Sequence, residues 1–138
     1  MPLGNLTSQL FANVYLNEFD QFAKHKLKIK YCVRYADDFV TFSESKEYLE
    51  NIIPLIGNFL QNKLKLNLHP DKVFVKTLSS GTDFLGWINF LDHKILRAKT
   101  KKRMLKRIKK NSNSETLNSY LGLLKHGNTN KIREKLLQ

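Results

Sequence analysis

The stretch from Tyr31 to Ser43 constrains this chain more than any other, because two β-prone runs there enclose a pair of adjacent carboxylates. Phe39, Val40, Thr41 and Phe42 alternate with the period of a strand, and Tyr31-Cys32-Val33-Arg34-Tyr35 is similarly rich in aromatic and β-branched residues. Together they predict a β-hairpin with Ala36-Asp37-Asp38 at its tip. Asp at a hairpin tip is commonly plain turn chemistry, since its side chain bonds to its own backbone. Here, however, the pair sits between tight hydrophobic strands in a chain of net charge +12. Two anionic side chains fixed in this way suit magnesium, which takes one or two carboxylates and completes its shell with water and substrate phosphate. The same arrangement is what two-metal phosphoryl transfer requires. Neighbours on an extended chain point apart, so it is geometrically awkward for Asp37 and Asp38 to grip the same two ions.

The charge narrows the class of partner. Lys and Arg number 24 against 12 acids, and that surplus points to a polyanion. A basic membrane-binding protein is the competing reading, but no apolar run approaches transmembrane length and the N-terminus lacks a signal-peptide pattern. Hydrophobic residues make up 41% and charged residues 26%, ordinary values for a globular protein, and 138 residues suffice for one domain with a sizeable core. Cys32 is the sole cysteine, so no internal disulfide forms, which agrees with a reducing cytoplasm; in its strand it reads as a small buried hydrophobe.

Periodicity supplies the remaining elements. Asn5 or Thr7 caps a first helix over about residues 7–25, with Asn13, Asn17, Asp20 and Lys24 on a polar face and Leu10, Phe11, Val14, Tyr15 and Phe22 on an apolar one. Glu18 and Asp20 read as surface charges. After the caps Ser43 and Ser45, the residues Leu49, Ile52, Ile53, Ile56, Phe59, Leu60 and Leu64 repeat at helical spacing. Pro54 predicts a kink or a late start there. His69-Pro70-Asp71 reads as a turn, Val73–Leu78 as a strand, Ser79–Asp83 as a turn and Phe84–Phe90 as a further strand returning towards Ile95.

Nine of the fourteen residues 97–110 are Lys or Arg, with Met104, Leu105 and Ile108 at helical spacing. Such a run is ordinarily a solvated face, but nine cations without one acid repel each other unless an anion shares the surface. Asn111–Ser114 reads as a linker, followed by helices over about 115–125 and 130–137. The fold class expected is α+β, divided near residue 98 into a mixed piece, 1–97, and a basic helical piece, 98–138.

Tyr35-Ala36-Asp37-Asp38 resembles the YxDD box of reverse transcriptases, and Arg34–Phe39 is similar to its form in bacterial retroelements. Pro2–Gln9 resembles the preceding motif, which reads QGxxxSP in group II intron enzymes; this sequence has Leu3 in place of the Gln and Gln9 in place of the Pro. That LGxxxSQ version resembles the reverse transcriptases of diversity-generating retroelements, as does Ser119–His126. The resemblance implies the C-terminal part of a polymerase palm, an antiparallel sheet with packed helices, followed by a short basic thumb.

The resemblance also implies roles. Asp37 would be the principal ligand of two magnesium ions, with Asp38 secondary. Leu3, Gly4, Ser8 and Gln9, with Tyr35, would shape the pocket for the deoxynucleotide and template base. Lys72 would neutralise or protonate pyrophosphate. Phe84-Leu85-Gly86-Trp87 reads first as a core strand, with Gly86 marking close contact, and the resemblance implies that it is also the primer grip; Trp87 and Phe90 are base-stacking platforms in an alternative reading. Arg97, Lys99, Lys101, Lys102, Arg103, Lys106 and Arg107 would follow the RNA template–DNA primer duplex. A third carboxylate is implied in a motif before the Pro-Leu-Gly box, where only Met1 stands, so these 138 residues are expected to lack the fingers and to be inactive alone. The rival from another class is a non-catalytic nucleic-acid-binding remnant. The sequence leaves the template, the priming mode, any accessory protein and self-association open.

Overall fold

The computed structural model describes residues 6–110 and 113–137. The chain is α+β and divides into two compact units, Met1–Val75 and Lys76–Gln138. This packing division falls well before the change of composition at residue 98, because the short strands after Lys76 share a core with the basic helix that follows them.

In the first unit, helix α1 (Leu6–Gln21) continues into a π-helical turn, Phe22–Lys26, closed by the Leu27 amide donating to the Phe22 carbonyl at 3.0 Å. Strands β1 (Tyr31–Tyr35) and β2 (Asp38–Phe42) form the expected antiparallel hairpin, with Tyr35 opposite Asp38 and Tyr31 opposite Phe42. Helix α2 (Lys46–Leu64) starts where the Ser45 hydroxyl accepts the Tyr48 amide at 3.1 Å. Its residues Ile52, Ile56, Leu60 and Leu64 recur every fourth position and are buried against Leu16, Phe19, Ala23 and Ile29. Each such burial stabilises by about 1.5–3 kcal/mol. The helix neither starts late nor ends at Pro54: Pro54 and Glu50, the residue whose carbonyl loses its donor, are both exposed, so water can take that carbonyl.

Two readings from the sequence are corrected here. The apolar face assigned to α1 is largely solvent-facing, with Leu10, Phe11, Val14 and Tyr15 at least half exposed, while the core takes Leu16, Phe19 and Ala23. A helix apolar over more than one stripe buries only the side that meets its neighbours. Cys32 is likewise exposed rather than buried.

In the second unit, β3 (Thr82–Phe84), β4 (Trp87–Asn89) and β5 (Lys94–Leu96) form an antiparallel meander. The single strand expected over Phe84–Phe90 is in fact a hairpin, because Leu85 and Gly86 both take positive φ (53° and 82°) and reverse the chain as a two-residue turn. Val73–Leu78 belongs to neither sheet, although both Val73 and Thr77 have extended backbones. A β-prone segment becomes a strand only where an edge pairs with it. Helices α3 (Ala98–Lys110), α4 (Ser114–Leu124) and α5 (Asn130–Leu137) follow, and Trp87, Leu96, Met104 and Leu124 form the core they share with the sheet. The Asn113 side chain caps α4 by accepting the Thr116 amide at 3.0 Å. Among the described residues no helix is long and apolar enough to cross a membrane.

Candidate active site and nucleic-acid interface

Strand alternation decides what each hairpin residue meets. Tyr31, Val33 and Tyr35 share one side with their cross-strand partners Phe42, Val40 and Asp38, and that side is mostly exposed. Cys32 and Arg34 share the other with Thr41 and Phe39, and there the Phe39 ring packs on Phe19 of α1, centroids 4.8 Å apart. The turn is the pair Ala36-Asp37, with Ala36 at φ 52°. That places Asp37 at the tip and Asp38 on the first rung of β2, both exposed. Neither carboxylate has a hydrogen-bond or ion-pair partner among the described residues, although the chain carries twice as many cations as acids.

Arg34, immediately before the Tyr-Ala-Asp-Asp box, is heavily engaged. Its Nε and one terminal nitrogen donate to the two carboxylate oxygens of Asp20 at 2.7 and 2.5 Å, while the other donates to the Ala36 carbonyl at 2.8 Å and the Asn13 side chain at 3.0 Å. The Asp20 hydrogen bonds hold the guanidinium still more firmly in its charged form. A bidentate pair with its arginine largely covered lies near the upper end of the ~0.2–1 kcal/mol seen for accessible ion pairs. The sequence reading left Asp20 and Asn13 on a solvated face. Their seven-residue spacing along one helix stripe, opposite the one strand arginine, is the signal that would have found them.

Two exposed carboxylates fit a magnesium ion only as part of its shell, with substrate phosphate and water completing it. Among the described residues no group of three or more His, Cys, Asp or Glu side chains is arranged to hold a metal. Ser8 and Gln9 lie in the first turns of α1, Ser8 half-buried and Gln9 exposed; Leu3 and Gly4 lie outside the described residues. Tyr35 is exposed beside Asp38. Lys72 is exposed at the end of a 3₁₀ turn, Pro70–Lys72.

In the second unit, Phe84 is half-buried, Leu85 protrudes at the turn and Trp87 is a core residue. Gly86 combines its positive φ with close approach: a Cβ there would sit 3.1 Å from the Thr100 hydroxyl of α3. Arg97 bonds Asp83 across the sheet at 2.9 Å, so its guanidinium is not wholly available to a ligand. Along α3, Met104 is buried and Leu105 and Ile108 half-buried, leaving Lys99, Lys101, Lys102, Arg103, Lys106, Arg107, Lys109 and Lys110 exposed. None of these eight has an ion-pair partner among the described residues.

The antiparallel hairpin thus carries two exposed carboxylates at its turn and packs on α1, and a comparison with known families gives that arrangement its context. The family model for reverse transcriptase (RNA-dependent DNA polymerase) matches residues 1–89, and the chain belongs to that family. It is also similar to Protein YkfC of Escherichia coli (strain K12), 28% identical over 134 residues, covering 73% of this chain and 33% of that protein. The chain therefore spans about a third of the length of the curated relative it matches.

Proposed function

We propose that this chain is the palm-and-thumb part of an RNA-directed DNA polymerase of a bacterial retroelement, of the diversity-generating type. The observation that carries the reading is the exposed, unpartnered Asp37-Asp38 pair at the turn of a braced hairpin. The reaction is attack of a primer 3′-hydroxyl on the α-phosphate of a deoxynucleotide, with loss of pyrophosphate. Asp37, supported by Asp38, would hold magnesium, which supplies charge neutralisation at the reacting oxygens. Ser8, Gln9 and Tyr35, with Leu3 and Gly4, shape the nucleotide and template pocket, and Lys72 neutralises the departing pyrophosphate. In this reading residues 1–97 form palm and 98–138 thumb. Leu85 and Gly86 present the primer contact, Phe84 and Trp87 support it from beneath, and α3 follows the phosphates of an RNA–DNA duplex in the cytoplasm.

The same exposed cations support a second reading, duplex binding without catalysis, because two carboxylates alone do not position two ions. We expect the 138 residues by themselves to bind a primer–template duplex but to extend no primer. The test measures manganese-induced broadening of hairpin resonances in the presence of an RNA–DNA duplex and a deoxynucleotide, for wild type and Asp37→Asn. Broadening at residues 37 and 38 that Asp37→Asn removes supports the polymerase reading. Duplex binding with no metal response at the hairpin favours the second.

A further inference from the structure

Of the five N–H donors on Arg34, four are taken: two by Asp20, one by Asn13 and one by the Ala36 carbonyl. The Ala36 carbonyl belongs to the peptide that leads into Asp37, so this bond fixes the plane from which the Asp37 side chain departs. Ala36 itself sits at φ 52°, a region that L-residues with a Cβ rarely adopt, and such a turn persists only where its surroundings hold it. Arg34 is also a cation near enough to compete for a metal site, since one terminal nitrogen already reaches the carbonyl of the residue before Asp37. Asp20 satisfies that guanidinium from α1, and Asp37 remains free.

We propose that Asp20 and Arg34, with Asn13, are positioning residues that pin the Ala36-Asp37 turn to α1 and keep a guanidinium from occupying the Asp37 carboxylate. The inference rests on the metal-binding reading of Asp37. Its consequence is that α1, which carries Ser8 and Gln9 at its start, also sets the orientation of the acidic turn from near its end. Losing Asp20 should therefore do more than loosen the hairpin: it should release a competitor for the cation.

The test uses the 138-residue chain with manganese as the probe, in the presence of an RNA–DNA duplex and a deoxynucleotide, in wild type, Asp20→Asn, Arg34→Gln and the double variant. Two readouts are followed, amide exchange over residues 35–38 and manganese affinity from resonance broadening. Asp20→Asn should speed exchange and weaken manganese by about threefold to fivefold, the range open to a competing exposed ion pair. In the double variant exchange stays fast but manganese affinity returns, since no guanidinium is left to compete. Loss of a merely structural contact predicts no such recovery. The proposal is overturned if Asp20→Asn matches wild type in both readouts, or if the double variant binds manganese no better than Asp20→Asn. If manganese broadens no hairpin resonance in any protein, the metal reading falls instead. Exchange then decides the clamp alone: faster rates in both single variants support it and unchanged rates overturn it.

Discussion

Gly127 lies directly against the ring of Trp87: a Cβ at position 127 would fall 2.2 Å from Trp87 Cζ3 and 2.9 Å from the Lys94 carbonyl oxygen. The ammonium of Lys94 sits 5.4 Å from the same ring, and the Asn128 amide donates to the Lys94 carbonyl at 2.8 Å. The α4–α5 connection is thus fastened to the strand that leads into the basic helix. Gly127→Ala should destabilise the second unit by about 1–3 kcal/mol, the usual cost of overpacking. Urea unfolding followed by the fluorescence of Trp87, the sole tryptophan, measures it. An unchanged midpoint would show that the ring can give way.

The unpaired cations of α3 should make binding steeply salt-dependent. Neutralising about six phosphates of a duplex gives a slope of log affinity against log salt of roughly −5. Replacing Lys101, Lys102, Lys106 and Lys109 with Ala, all exposed, should flatten the slope and weaken every duplex alike. A slope unmoved by the four substitutions returns the helix to a solvated face.

Strain at Ala36 sets opposing terms against each other. A Cβ at positive φ costs about 1–2 kcal/mol, whereas glycine adds about 0.4–1 kcal/mol of freedom to the unfolded chain. The first term is the larger, so Ala36→Gly should hold or raise stability by up to about 1.5 kcal/mol, and Ala36→Val should lower it by about 1–2 kcal/mol. Thermal melts of the two variants give the comparison, and a glycine variant clearly less stable than wild type would contradict the turn geometry.

Cys32 reports on the clamp. Its thiol is pushed up, first by partial burial of the sulfur on the side of the hairpin that carries Arg34, then by the Asp20 carboxylate, with Arg34 opposing. The thiolate therefore forms only at higher pH than in a free cysteine, and stability is lost as pH rises from the unfolded thiol's value towards the folded one. Iodoacetamide alkylation against pH should rise late in wild type. In Asp20→Asn the profile should shift to lower pH, because a charge that disfavours the thiolate is gone. An unmoved profile would place Asp20 away from the sulfur.

The acidic hairpin was legible because period-two alternation and turn chemistry are local: Tyr31–Phe42 pairs as its alternation requires. Helix α2 was legible for the same reason, its buried stripe written at every fourth residue. Leu85-Gly86 looked like strand because aromatic and β-branched residues, Phe84 before it and Trp87, Ile88 and Phe90 after it, make the whole run β-prone, yet both residues take positive φ and Gly86 packs close to Thr100. What the sequence alone determined was which residues carry charge, which alternate, and that two carboxylates fall at one turn. Tertiary structure decided which partners they meet: that Val73–Leu78 joins no sheet, that Leu10, Phe11, Val14 and Tyr15 of α1 face water, and that Asp20 meets Arg34. Pairing across 14 residues depends on where a helix stops and a strand returns, and no local periodicity records that distance.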